Sequence, residues 1–306
     1  MVAVSESFDY GLYHVDLAAR RLADVRGKRA LVVGCNRGRE VSLFLDAGAS
    51  EVWGIDVMDE IGIEFPRRGA HYLQMSAEAM NLDDEMFEIV FCVATMEHIA
   101  GIESAFAEIA RVTKMGGFVY VHSAPLWNAR EGHHRGNLFD LNRYPWIHLR
   151  FTSDELKRMC ADGQIEYPES VDDIDSEIDL IMTSDVLNRR PARDYLRVCS
   201  GLVGFEFERN RLEFEPPSVL ELLSEGDLST LEARGIDALE LRAVMHTFGA
   251  WKGRLPQSIR RIRGLTTRPR GSVRSAVGGA VRSFGRGALG PVGDSGNRRQ
   301  IAVEDL

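Results

Sequence analysis

Apolar residues in the first 125 positions fall into short runs separated by turns, in the rhythm of alternating strands and helices. Ala30 to Val33 is continuously apolar, as in a parallel strand buried on both faces, and Gly34 punctuates its end. Val41, Leu43, Phe44 and Leu45 give the next stretch an apolar side at helical spacing, and Gly48 is placed to stop it. Val52 to Ile55 reads as a second strand, ending in Asp56. His71 to Met75 is a third, Met86 to Val93 a fourth, and Phe118 to His122 a fifth after a helix over Ile102 to Val112. Upstream, Val15, Leu17, Leu22 and Val25 give residues 8 to 26 a helical pattern leading into the first strand. Strands alternating with helices predict an α/β, doubly wound, Rossmann-like fold.

Beyond the fifth strand the rhythm changes. Ser123 to Phe151 is a long irregular stretch rich in His, Trp, Asn and Gly, followed by a helix capped at Thr152 or Ser153. Residues 165–200 hold the acidic run Asp172, Asp173, Asp175, Glu177 and Asp179, which reads as a solvated insertion or lid. Val203 to Phe214 and Leu241 to Trp251 are strand candidates separated by a helical 218–234. The fold is expected to occupy 1–251, leaving 252–306 as a tail rich in Arg, Gly, Ser and Pro. That tail reads as disordered, yet Val273, Ala276, Val277, Ala280, Val281 and Phe284 fall at helical spacing, as in an amphipathic segment.

Charge sharpens this division. The 306 residues carry 37 Lys or Arg and 46 Asp or Glu, but residues 251–300 hold twelve of the basic residues against Asp294 alone. The body is therefore strongly acidic, which argues against nucleic acid as a partner, whereas the tail suits an anionic membrane surface. Cys35, Cys92, Cys160 and Cys199 lack metal-ligand or CxxC spacing, and residues 1–14 lack the pattern of a signal peptide. A cytoplasmic protein, peripheral at a membrane if the tail binds one, is expected.

Asp56 lies 22 positions after Gly34, near the roughly 20-residue spacing at which a carboxylate meets an adenosine ribose. The turn places Asn36 and Arg39 where a dinucleotide fingerprint needs glycines, so NAD is disfavoured. The turn GCNRG resembles the first motif of the class I S-adenosylmethionine-dependent methyltransferases, with Asn36 for the middle glycine and Val32 where many members carry an acid. Ser76, Ala77 and Glu78 resemble the third motif, Ser76 standing in the usual Asp position. The string MFEIVFCV, then ATMEHI, and later EIARVTKMGGFVYV closely resemble the type 11 methyltransferase domain, Met115 replacing the customary proline. The resemblance covers about residues 28–125. It implies a seven-stranded sheet, mostly parallel with an antiparallel last strand. It also implies S-adenosyl-L-methionine as cofactor, held by Gly34, Cys35, Asn36, Gly38, Asp56, Val57, Ser76, Ala77, Glu78 and Val93.

Methyl transfer from a sulfonium needs alignment, exclusion of water and a place for the acceptor's proton. Imidazoles suit the last task at neutral pH. His133 and His134 in the long loop are the first candidates for a base, followed by His98, His122 and His148, with Trp127 or Trp146 as an apolar wall. A metal held by the histidine pair and Asp140 is disfavoured, because successive loop residues point apart. The expected reaction is O-methylation of a polar small molecule or glycan. A cofactor-binding scaffold without transfer and a nucleotide-sugar enzyme on the same fold are the alternatives.

Overall fold

The computed structural model describes residues 9–253 and 300–302. Helix α1 (Tyr10–Asp16), whose N-cap Asp9 accepts the Leu12 N–H, runs into a π-helical turn, Leu17–Leu22. The chain continues as β1 (Arg29–Val33), α2 (Arg39–Asp46), β2 (Glu51–Asp56), β3 (Ala70–Gln74), β4 (Phe87–Val93), α3 (Ile102–Val112) and β5 (Thr113–Ser123). Four helices follow, α4 (Ile147–Arg150), α5 (Ser153–Ala161), α6 (Ile174–Met182) and α7 (Ala192–Ser200). Strand β6 (Phe205–Phe214), helices α8 (Glu225–Ala233) and α9 (Ala238–Arg242), and strands β7 (Ala243–Lys252) and β8 (Gln300–Ala302) complete the fold.

The strands form one sheet in the order β3-β2-β1-β4-β5-β7-β6-β8. The first five in that order are parallel, and β7 runs antiparallel between β5 and β6. The chain winds outward from β1 to β3 and then returns to the other side of β1 to lay down β4. A topological switch point therefore lies between β1 and β4, and the crevice beyond their carboxyl ends is where such sheets hold ligands.

Both faces of the sheet are covered, as the apolar run of β1 requires. Leu31 and Val33 face a cluster with Phe106 and Ile109 of α3, Tyr195 of α7 and Phe248 of β7. Ala30 and Val32 face Val15, Ala18, Val41 and Phe44, supplied by α1, its π-helical extension and α2. No described helix is long and apolar enough to cross a membrane.

The described structure departs from the sequence expectations in two places. Strand β8 adds an eighth, three-residue strand on β6, drawn from the segment expected to be a tail. Lys252, taken as the first tail residue, ends β7 and donates from Nζ to Ala110 O at 2.9 Å and Thr113 O at 2.8 Å. The rest of the tail, including the 273–284 stripe, lies outside the described residues. The acidic run, expected as a solvated insertion or lid, keeps Asp172, Asp173 and Asp175 exposed and is partly helical: Asp173 caps α6, and Asp175 and Glu177 occupy its first turn, where the helix dipole favours negative charge. In the same segment α7 buries Tyr195, Leu196 and Cys199 in the main core.

The long stretch after β5 folds into a cap over the carboxyl end of the sheet. Leu138, Phe139 and Ile147 pack with Ile178 and Ile181 of α6, and Trp146 packs with Leu223, Leu231 and Leu241. The cap is tied down by a buried ion pair, Arg130 Nη2 to Glu215 Oε1 at 2.8 Å, with Arg130 Nη1 donating to Asn142 Oδ1 at 2.7 Å. Glu215→Ala would strand the guanidinium in a site that is 8 % exposed, and is expected to destabilise the protein by about 3–5 kcal/mol in urea unfolding. A cost below about 1 kcal/mol, the range of exposed pairs, would mean the pair is effectively solvated.

Candidate active site

The turn after β1 requires left-handed backbone at three positions: Gly34 at φ +75°, Asn36 at +45° and Gly38 at +98°. Asparagine tolerates that region better than most residues, so the missing middle glycine is absorbed without changing the turn. Gly34 is also fixed by packing, because a Cβ there would lie 2.0 Å from Thr95 Oγ1. The turns after β1 and β4 therefore interlock across the switch point.

Asp56 closes one side of that crevice. Its Oδ2 accepts the Asn36 N–H at 2.8 Å and its Oδ1 the Met58 N–H at 3.2 Å. A carboxylate offers about four lone-pair sites, so one remains on each oxygen for an incoming hydroxyl. Beside it Val57 is 68 % exposed and Met58 47 % exposed, an apolar shelf next to an anchored carboxylate. Cys35 is buried under the same turn, and burial together with the Asp56 charge pushes its thiol up to about 12, so it is no nucleophile.

The segment after β3 reaches the same edge, but its polar groups are partly committed. Ser76 Oγ accepts the Glu78 N–H at 3.1 Å, and Glu78 Oε1 accepts the N–H of Gly101, the residue preceding α3, at 3.0 Å. Glu78, one of the residues the resemblance implies hold the cofactor, thus ties this turn to the start of α3, while Ala77 is buried at the turn. Val93 ends β4 beside Gly34.

Deeper in the crevice lies a set of buried polar groups that the sequence only half disclosed. Glu97 Oε1 accepts the Ala124 N–H at 3.3 Å, while its Oε2 has no partner, and burial pushes its carboxyl up to about 8. His122 Nδ1 pairs with Thr247 Oγ1 at 2.9 Å, leaving Nε2 without a partner, as is Ser123 Oγ. His14 and Tyr10 of α1 stand over this end, their rings 4.3 Å and 5.9 Å from that of His122. The clue to His122 was the strand's alternation, which sets Phe118, Tyr120 and His122 on one face. Glu97 sits in the resemblance's EHI string.

The loop histidines are engaged elsewhere. His133 is buried, and its Nδ1 accepts the Arg135 N–H at 3.0 Å, so its unpartnered Nε2 must carry the ring proton. A neutral imidazole so fixed can donate but not accept there. His134 Nε2 donates to Pro125 O at 2.8 Å, which leaves its lone pair on Nδ1, and its ring lies 5.1 Å from that of His98. His148 Nε2 donates to Trp127 O at 2.8 Å. Trp146 is not the wall of an open site: it is wholly buried, and its indole N–H is shared between Asn128 O and Leu241 O, both at 3.1 Å. Trp127 is half-buried between the two cap clusters with Arg189 over its ring.

Residues 31–121 match the family model described as a methyltransferase domain. Over that segment the chain is a methyltransferase domain. A fatty-acid O-methyltransferase of Mycolicibacterium smegmatis is 30% identical over 139 residues, covering 42% of this chain and 50% of that protein. A ubiquinone biosynthesis O-methyltransferase of Alkalilimnicola ehrlichii is 32% identical over 119 residues, 36% of this chain and 47% of that one. The chain thus spans about half the length of the curated relatives it matches. Among solved structures, an S-adenosylmethionine-dependent methyltransferase from Mesorhizobium loti is 16% identical with a TM-score of 0.45, covering 78% of this chain and 98% of that one. The residues present would fit the S-adenosylmethionine that the motif resemblance implies: Asp56 has an open lone pair on each oxygen, and the exposed Val57 offers apolar surface beside it.

Burial leaves this methyltransferase fold with a distinct pH response. The rings of His14, His134 and His148 are pulled down to about 4, that of His246 to about 3, and those of His122 and His133 well below the usual value, all chiefly by desolvation. A depressed imidazole favours folding above its unfolded value near 6.5, and that contribution is lost as pH falls toward the folded value. Glu97 and Glu40 oppose them, since burial raises both carboxyls and so lowers stability as pH climbs, for Glu97 from about 4.5 to about 8. Unfolding midpoints in urea are therefore expected to drop steeply between pH 6.5 and 4. A flat profile over that window would show that the histidines are solvated.

Proposed function

We propose that this protein transfers the methyl group of S-adenosylmethionine to an oxygen of a small acceptor, with a hydroxyl on a polar small molecule or glycan as the favoured group. The observation that carries the reading is the Asp56 carboxylate at the switch point, held by two backbone amides beside the exposed Val57 and Met58. Both curated relatives described above are O-methyltransferases by name, which supports oxygen as the acceptor atom.

When bound, the cofactor supplies an activated methyl group on a sulfonium. The protein's part is to hold the ribose through Asp56, to cradle the amino-acid end with the turn from Gly34 to Gly38, and to let Val57 cover the adenine. Val93 borders the reacting end. Ser76 retains a hydroxyl proton to donate to the adenine edge, and Ala77 shapes the turn there. The cap over the carboxyl end of the sheet excludes water, and Glu97, Ser123 and His122 offer hydrogen bonds suited to an acceptor hydroxyl.

Titration calorimetry with S-adenosylhomocysteine and with NAD tests the first step. S-adenosylhomocysteine is expected to bind and NAD not to, and Asp56→Ala should weaken the former by about 1.5–3 kcal/mol, the range of hydrogen bonds to a charged group. Unchanged affinity in the variant would remove Asp56 from the site. Binding with no methyl transfer to any phenol, sugar or carboxylic acid would favour the scaffold reading, and preference for a nucleotide sugar would favour the third.

The basic segment carries a separate proposal. Its twelve Lys or Arg among residues 251–300 suit an anionic lipid surface, which attracts each basic side chain by about 1 kcal/mol. Deleting residues 255–306 should abolish salt-sensitive sedimentation with phosphatidylserine vesicles. If the full chain ignores such vesicles at low salt, the lipid proposal fails.

A further inference from the structure

We infer that His122 is the general base of the reaction, taking the proton of a hydroxyl acceptor on Nε2 while Thr247 positions its ring through Nδ1. The inference deepens the methyltransferase reading and rests on it.

Strand register carries the argument. Val33 pairs with Cys92, so Gly34 adjoins Val93; Val93 pairs with His122, and His122 pairs with Thr247. These four residues form one row across β1, β4, β5 and β7. Neighbouring strands lie about 4.8 Å apart, which sets His122 roughly 10 Å from Gly34 with Val93 between. Side chains in one row share a face, and Val93 lies on the face covered by α1 and α2. The imidazole is therefore one strand beyond the residues that border the cofactor's reacting end, on the same side of the sheet.

The ring's bonding suits it to the task. With Nδ1–H donating to Thr247 Oγ1, the lone pair sits on Nε2, which is buried and without a partner. Such an atom costs stability unless something is brought to it, and an entering hydroxyl would supply the missing donor. Tyr10 and His14 of α1 close the space above, so α1 must shift to admit the acceptor. The groups facing His122 are Tyr10 and His14 from α1, Thr247 from β7, Tyr120 from its own strand, Arg211 from β6, and Glu97 beyond Tyr10, while His246 of β7 acts on it only through space from the opposite face. His246 is a poorer base, because it faces the other side of the sheet, against Tyr195 and Asn210. His133 presents an N–H rather than a lone pair. In the step itself the acceptor oxygen bonds the methyl carbon, and the methyl–sulfur bond breaks with its electron pair left on sulfur. The hydroxyl proton passes to Nε2 and then to solvent.

Three variants of the full chain test this: His122→Gln, Thr247→Val and, as a contrast, His134→Gln. Nitrogen-15 NMR of the histidine rings with S-adenosylhomocysteine bound should show a neutral His122 with its proton on Nδ1, and Thr247→Val should shift that tautomer. A proton on Nε2 overturns the inference without any activity measurement. S-adenosylhomocysteine affinity should stay within about threefold in all three variants; failure of the wild type to bind it would sink the methyltransferase reading instead. With catechol as a hydroxyl probe and hexadecanoate as a carboxylate probe, His122→Gln should lower kcat on catechol by roughly 10² to 10⁴. Thr247→Val should lower kcat with little change in KM for S-adenosylmethionine. Undiminished turnover by His122→Gln, or a loss seen only in His134→Gln, would assign the base elsewhere. If neither probe turns over, the ring-nitrogen assignment decides alone.

Discussion

The interlock between the turns after β1 and β4 is the constraint on which the site depends. Gly34 has no room for a side chain because Thr95 occupies the space where a Cβ would stand, and its backbone is left-handed as well. Once these turns are locked, Asn36 is placed to donate its N–H to Asp56, which fixes the carboxylate at the end of β2. The mouth of the crevice is thus preorganised by backbone amides rather than by long side chains, so little ordering remains to be done when a ligand arrives. The same register that sets Gly34 beside Val93 carries on to His122 and Thr247.

The second constraint is the neutrality of the buried polar groups. Six imidazoles and the Glu97 carboxyl are taken out of water with few charged partners, and desolvation keeps each in its uncharged form near neutral pH. A neutral imidazole can accept a proton, and a protonated carboxyl can donate a hydrogen bond. The environment thus permits base chemistry at the strand ends without a resident charge. It also makes acid the natural denaturant of the fold.

The β1-to-β5 core was legible in the sequence because its signals are local. Runs such as Ala30–Val33 and Met86–Val93 are apolar throughout since both faces are covered, and Gly34, Gly48 and Asp56 punctuate them within a few residues. The cap was not legible, because its order comes from distant partners. Trp146 is buried by Leu241, 95 positions on, and Arg130 by Glu215, 85 positions on. Read along the chain, residues 123–151 therefore looked like an open loop with histidines and tryptophans free to meet a substrate. Folded, Trp146 is core, and His133 spends its only basic nitrogen on the Arg135 amide.

That contrast bears on how a base is found in such a fold. Loop histidines attract notice because nothing nearby in sequence explains them, whereas His122 passes as one polar residue near the end of a buried strand. Yet a strand end offers what a catalytic group needs: a fixed backbone, a cross-strand partner for one ring nitrogen, and a register that states its distance from the cofactor's turn. His134 sits on backbone that turns left-handed at φ +60°, and its position follows the cap rather than the sheet. Precision of placement favours the strand over the loop. The row from Gly34 to Thr247 is therefore both the floor of the crevice and the ruler that locates its chemistry.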